Sequence, residues 1–109
     1  MATAYKVLGQ SNPSATTATS LYTVPAATEA IVSTLTVCNQ NASAGTYRIA
    51  VRPAGAALAK QHYVAYDVSL PGNASDTLTL GITLAATDVV TVYASSADFS
   101  FAAFGSELS

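Results

Sequence analysis

Apolar and polar residues alternate with a period of two along much of the chain, and clusters of Gly, Pro, Asn and Asp interrupt the alternation at roughly ten-residue intervals. The two longest alternating stretches are Ala30-Ile31-Val32-Ser33-Thr34-Leu35-Thr36-Val37-Cys38 and Thr46-Tyr47-Arg48-Ile49-Ala50-Val51-Arg52. β-Branched and aromatic residues fill both, as a pleated and half-buried surface requires. With residues 39–45 as a polar turn, the pair reads as a hairpin running from Glu29 to Pro53. Ile31, Leu35 and Val37 then share one face of the first arm, with Ser33 as the exception, and Tyr47, Ile49 and Val51 share one face of the second. Thr34, Thr36, Arg48 and Arg52 occupy the opposite faces.

The rest of the chain divides in the same way. Residues 4–9 form a short strand closed by Gly9, and residues 10–19, with Pro13 and a run of Ser, Ala and Thr, form an extended loop. Residues 20–24 make a strand ended by Pro25, which cannot donate to a ladder. Residues 54–60 are a loop with some helical character, too short to hold a helix alone. In the strand 62–68, Val64, Tyr66 and Val68 alternate with Tyr63, Ala65 and Asp67. After a turn at 70–73, the strand 76–84 is interrupted at Gly81, which predicts a bulge or bend. Strands at 89–94 and 99–104 follow, the last closed by Gly105. About eight short strands with no convincing helix is the pattern of an antiparallel sandwich or small barrel. The expectation is one domain spanning residues 1–109: an all-β, antiparallel β-sandwich of jelly-roll or immunoglobulin-like type.

Composition narrows what such a domain does. Charged residues are only 9% of the chain, against about 25% in an average soluble domain. A free-standing monomer needs charge to stay unassociated, so the low count predicts surface buried against other subunits. Four Lys and Arg against six Asp and Glu, for a net charge of −2, argue against nucleic-acid binding through phosphates and against a polybasic membrane surface. No apolar run approaches the roughly 20 residues of a membrane span, and the opening residues lack the basic-then-apolar layout of a signal peptide. The expectation is a soluble protein made in the cytoplasm.

Candidate chemistry is sparse. The single cysteine, Cys38, excludes an intrachain disulfide and a multi-cysteine metal site, and its strand neighbours predict a small buried side chain. The only histidine is His62, the one available base for a Cys38 nucleophile. Asp67, Asp76, Asp88 and Asp98 are scattered over strand ends and turns, without the dense oxygen-ligand run of a calcium loop. Asn41 and Asn73 each open an Asn-Ala-Ser triplet, read as ordinary turns in the absence of a secretory signal. No phosphate loop, HExxH or GxSxG motif occurs, so no catalytic residue, cofactor or metal site is assigned and an enzyme is not expected. Arg48 and Arg52, four apart on one strand face, together with Tyr63 and Tyr93, are the candidate subunit-contact residues. Arginine forks hold acidic groups well, and six tyrosines suit an interface.

The strings Tyr5-Lys6-Val7-Leu8-Gly9-Gln10, Leu21-Tyr22-Thr23-Val24-Pro25, Tyr47-Arg48-Ile49-Ala50-Val51-Arg52-Pro53, Leu84-Ala85-Ala86-Thr87-Asp88-Val89-Val90 and Phe101-Ala102-Ala103-Phe104-Gly105-Ser106-Glu107 carry a family likeness. Together they resemble small all-β structural proteins of tailed bacteriophages, cyanophages included. The resemblance implies a virion location and a role as a capsid cement (decoration) protein, or else as a tail, baseplate or fibre component. It implies self-association, a trimer being one such assembly, and contact with a major capsid protein or with tail and baseplate proteins. It transfers no functional residue. A host-surface or carbohydrate-binding β-sandwich module is the alternative from another class.

Overall fold

A computed structural model describes residues 2–109. Eight strands are present: β1 (Thr3–Ser11), β2 (Thr19–Thr23), β3 (Glu29–Asn39), β4 (Gly45–Arg52), β5 (Tyr63–Leu70), β6 (Ala74–Leu84), β7 (Val89–Ala94) and β8 (Phe99–Leu108). They form two four-stranded sheets of order β1-β8-β3-β6 and β2-β7-β4-β5, antiparallel at every pairing. The chain is all-β and sandwich-like, as expected. Two short 3₁₀ turns, Pro53–Gly55 and Lys60–His62, account for the helical character of the loop before β5.

The pairings β1–β8, β2–β7, β3–β6 and β4–β5 describe one long antiparallel ribbon, doubled back at the β4–β5 connection. The ribbon is folded over so that β8 also pairs with β3, and β7 with β4. Between the two layers lie Val32, Leu35 and Val37 of β3, Tyr47 and Ile49 of β4, Val90 and Val92 of β7, and Phe99 and Phe101 of β8, all 2% exposed or less. The Tyr47 and Phe101 rings meet edge to face, 6.3 Å apart.

This topology overturns the hairpin expected between Glu29 and Pro53. β3 and β4 belong to different sheets and are not paired; of consecutive strands, only β4 and β5 are hydrogen-bonded neighbours. Their apolar faces meet across the core instead of lying side by side. The connection is an arch built by Asn39, which is fully buried. Its amide nitrogen donates to the carbonyls of Ser43 (3.0 Å), Leu70 (3.2 Å) and Pro71 (3.2 Å), and its oxygen accepts the Asn41 N–H at 2.9 Å.

The inward face of β3 also differs from a strict period of two. Ala30 and Val32 point inward, then Leu35, Val37 and Asn39, while Ile31 is 46% exposed. The change of phase falls at Ser33, an extra residue relative to β8, where Val32 faces Gly105 and Thr34 faces Phe104. The Ser33 hydroxyl donates to the Phe104 carbonyl at 3.1 Å. In the same zone β1 carries one extra residue between Val7 and Gly9, and β6 carries one between Thr79 and Ile82. The bulge expected at Gly81, where φ is +62°, is therefore one part of a crease crossing the whole sheet. Gly105 does not close β8, which continues to Leu108. A Cβ at Gly105 would overlap the Ile31 carbonyl, so glycine is needed to carry the strand through the crease. Likewise β1 runs past Gly9 to Ser11, which shortens the first loop to residues 12–18.

Cys38 is the last correction. It lies half-buried on the outer face of β3, between Ser75 and Ser100 in the register, and the buried position at the strand end is Asn39.

Candidate functional site

Arg48 is the centre of the most organised cluster on the surface. On the outer face of β4 it lies directly opposite Tyr93 of β7. Its Nε donates to Asp67 Oδ1 at 2.6 Å and its terminal nitrogen to Oδ2 at 3.3 Å, a fork on one carboxylate. The guanidinium carbon sits 4.2 Å from the Tyr66 ring centroid and 4.2 Å from that of Tyr93, so the planar cation is held between two aromatic rings. Tyr63 meets Tyr66 edge to face at 4.9 Å and 86°. The hydrogen bond to Asp67 raises the Arg48 pKa further above its ordinary value, and the cation is permanent.

A bulge in β5 assembles the cluster. Tyr47 faces Val68 and Ile49 faces Ala65, so β5 carries one residue more than β4 over that span. Asp67 takes the extra step with φ +49°, a left-handed conformation that aspartate tolerates better than most side chains. Tyr66 and Asp67 are consequently both exposed, while Val68 turns inward against the core. The simple alternation had put Tyr66 with Val68 and opposite Asp67.

Of the candidate contact residues, the structure brings Arg48, Tyr93 and, through Tyr66, Tyr63 together. Arg52 is not part of the group. Its Nε donates to Thr91 Oγ1 at 3.0 Å, and Nη1 donates to the carbonyls of Gly55 (3.2 Å) and Ala56 (3.0 Å), so it anchors the turn after β4. Tyr66 and Asp67 are the members that the sequence reading missed. Beside Tyr66 opens a cleft of about 680 Å³ walled by Leu58, Ala59, Lys60 and Tyr63. Lys60 makes no ion pair among the described residues.

The other candidates are structural. Cys38 belongs to the β3 sheet, whereas His62 sits in the turn before β5 of the other sheet, buried, with Nδ1 accepting the Ala59 N–H at 3.0 Å. Asp76 accepts the Tyr47 hydroxyl at 2.9 Å, Asp88 accepts the N–H groups of Ala54 (2.8 Å) and Ala85 (2.9 Å), and Asp98 accepts the Asn41 amide at 2.8 Å. Each carboxylate thus has its own partner in a different part of the fold, and the described residues contain no group of three or more His, Cys, Asp or Glu fit to hold a metal. Asn41 and Asn73 link two turns through Asn73 N–H to Asn41 carbonyl at 2.9 Å.

No family model, curated protein or solved structure matches this chain. Any assignment therefore rests on its residues and their geometry.

A second cluster ties the layers together at the β1–β2 side. Glu107 of β8 accepts the Tyr22 hydroxyl from the opposite sheet and pairs with Lys6 Nζ at 2.6 Å. Lys6 and Tyr22 hold the Glu107 carboxyl below its ordinary value. Burial, then the neighbouring carboxylate, raises the pKa of Tyr22 (by Glu107) and of Tyr47 (by Asp76). The two tyrosine–carboxylate clasps join one sheet to the other.

Proposed function

We propose that this protein is a non-enzymatic structural subunit of a tailed-phage virion, a capsid cement protein that self-associates and steadies the head lattice. The observation that carries the proposed contact with the head lattice is the Arg48 platform. Interface energy concentrates in Tyr and Arg side chains that are already held in one conformation. Arg48 is held by two rings and a carboxylate. Docking onto it loses little side-chain freedom, and its charge is balanced before a partner arrives.

Strand order adds support. Rolling one eight-stranded antiparallel ribbon around a two-layer core yields the neighbours β1-β8-β3-β6 and β2-β7-β4-β5. We read this as a jelly roll, an architecture used by viral capsid domains. In the immunoglobulin-like alternative the first two strands share a sheet, and here β1 and β2 do not. Fold does not determine function; the tailed-phage part of the proposal rests on the resemblance read from residues 5–10, 21–25 and 101–107, and no family model or curated protein adds to it.

Labelled protein added to intact particles tests the proposal. The expected result is density over the head lattice. Density at the tail tip would reassign the protein to the tail, baseplate or fibre, and no density anywhere would remove the virion reading. Arg48→Ala and Tyr66→Ala should each weaken binding to heads while the protein stays folded by circular dichroism at the assay temperature; unaltered binding would take the platform out of the contact.

A second reading, a glycan-binding module, is favoured by one observation: the cleft beside the half-exposed Tyr66 ring, with Tyr63 and Lys60 on its wall. Sugar rings stack on such aromatic faces. Binding on a glycan array that is lost in Tyr66→Ala would support this reading, and a silent array would leave it without support.

A further inference from the structure

The outer face of the β1-β8-β3-β6 sheet has inverted polarity. Its charged side chains point the wrong way for a solvated face: Asp76 and Glu107 share register rows with the buried Val37 and Ala30, and Lys6 shares one with buried Val32 through Gly105. All three lie on the inner side, engaged as Tyr47–Asp76 and as Tyr22–Glu107–Lys6. The opposite side carries Tyr5 (85% exposed), Val7 (49%) and Ile31 (46%). Phe104 and Leu108 lie beside them, half-buried, in the rows Val7–Phe104–Thr34 and Thr3–Leu108–Glu29. Threonine, serine, alanine, glutamine and Cys38 fill the remaining outward positions, and Glu29, at one end, is the single charged side chain on the face among the described residues.

An apolar stripe on a neutral face, with charges turned inward, is the arrangement of a covered surface. The edges of the sheet are not the docking element. β1 and β6 each carry a bulge from the crease, and both have inward-pointing charged residues, Lys6 and Asp76. These devices prevent strand-to-strand addition. What remains is packing face to face.

We infer that the occupant of this face is a second copy of the same chain, related by a two-fold axis. The inference rests on the self-association part of the proposed function and names its surface. Four strands about 4.8 Å apart, and about 36 Å for the 11 residues of β3, give roughly 700 Å² per copy. Two copies bury about 1,400 Å², within the roughly 1,200–2,000 Å² of a stable interface. A different protein would need an equally neutral surface of this size; a second copy has one by construction. With full overlap the strands of the two copies run antiparallel, which sets the two Glu29 carboxylates at opposite ends, far beyond the ~8 Å Debye length, and packs the apolar rows at the Glu29 end of each copy on the Thr, Ser and Ala rows of the other.

Analytical ultracentrifugation of the full chain over a micromolar dilution series tests this. The wild type should sediment as a dimer, and Ile31→Lys and Tyr5→Lys should each raise the dissociation constant about 30-fold or more, because each puts a charge in the contact. Both residues are exposed in the single chain, so circular dichroism of the monomeric variants should match the wild type, and their melting temperature should match that of wild type diluted below its dissociation constant. Val64→Lys, which puts the same charge at an exposed apolar residue of β5 on the other sheet, serves as the control and should remain a dimer. Association that survives both lysine variants would overturn the inference while leaving self-association standing. A monomeric wild type would overturn it too, and the head-binding experiment would then judge the cement reading on its own.

Discussion

Replacing Asn39 with alanine should be among the most damaging single changes in the molecule. The side chain is fully buried and makes its contacts to two separate pieces of chain, the loop at 41–43 and the turn at 70–71. Two amide hydrogens are shared among the Ser43, Leu70 and Pro71 carbonyls at 3.0–3.2 Å, and the oxygen accepts from Asn41 at 2.9 Å. Three hydrogen bonds at about 1 kcal/mol each, plus the cost of leaving a buried acceptor such as the Leu70 carbonyl dry, give a loss of about 3–5 kcal/mol. That is a large share of the roughly 5–15 kcal/mol available to a domain of this size. With an m-value of about 2 kcal/mol/M, the urea midpoint should fall by about 2 M. Tyrosine fluorescence and far-ultraviolet circular dichroism are suitable probes, since the chain has six tyrosines and no tryptophan. Asn39→Asp should be worse than Asn39→Ala at neutral pH, because an ionised carboxylate would face three carbonyl oxygens. Asn41→Ala, at a half-buried position with fewer partners, should cost about 1 kcal/mol. If Asn39→Ala lay within about 1 kcal/mol of the wild type, or if the aspartate were the better tolerated change, the arch would not be what joins β3 to β4.

Other consequences follow from the same geometry. Gly105→Ala should cost about 2–3 kcal/mol or more in a chemical melt, because its methyl group meets the Ile31 carbonyl and lies 3.2 Å from Leu8 Cδ1. Gly81→Ala has open space around it and bears only the left-handed penalty of about 1–2 kcal/mol, which Gly81→Asn should largely recover; equal costs at the two glycines would refute the crease as described. The folded-state pKa of Glu107 is depressed from its ordinary 4.5, so its contribution is present above that value and is lost as the pH falls through the folded pKa. Stability curves of the wild type and Glu107→Gln should accordingly be offset by a constant amount above about pH 4.5 and converge as the pH falls from there through the folded pKa; an offset unchanged through that acid window would count against the clasp. The pKa values of Tyr22 and Tyr47 are raised, so their contribution is present below their ordinary 10.0 and is lost as the pH rises through the folded values. In an alkaline titration followed by near-ultraviolet absorbance, these two should ionise only as the fold opens, and Tyr22→Phe plus Tyr47→Phe should remove that late step.

Much of the architecture was readable because a half-buried strand must alternate. The strands, their turns and the all-β class follow from that one constraint. What alternation cannot supply is the plane in which the next strand lies. β3 and β4 each have one apolar face, and that pattern suits two strands paired in a sheet or two strands stacked across a core. The decision was made by Asn39, a polar residue that the period-two pattern assigns inward and that turn statistics assign to a loop. Ser33 was the other signal. A single polar residue in the apolar phase of β3 marked the bulge that exposes Ile31 and buries Val32. Glycine was ambiguous for a physical reason: it ends strands, but it also lets one backbone pass close to another, and Gly9 and Gly105 do the second. In the candidate site, Arg48 and Tyr93 were legible because cross-strand neighbours on one face are set by register. Tyr66 and Asp67 were not, because their shared exposure depends on a bulge that only the left-handed turn at Asp67 produces.

The two outer faces reach low charge by different routes, and this difference can be measured. The β1-β8-β3-β6 face is neutral because its charged residues turn inward, so association through it depends on apolar burial and on Thr and Ser packing. Raising sodium chloride to about 1 M shortens the Debye length to about 3 Å and leaves such burial intact. On the β2-β7-β4-β5 face the Arg48 charge is offset by pairing: Asp67 is 44% exposed at its side chain and holds Arg48 from the solvent side. Screening weakens an ion pair of that kind. Arg48 then loses part of its fixed orientation between Tyr66 and Tyr93, and with it the preorganisation on which docking relies. The proposed dimer should therefore persist by sedimentation in 1 M salt while the proposed binding to heads weakens. Loss of the dimer in salt, with head binding preserved, would mean that the two faces have been assigned the wrong way round.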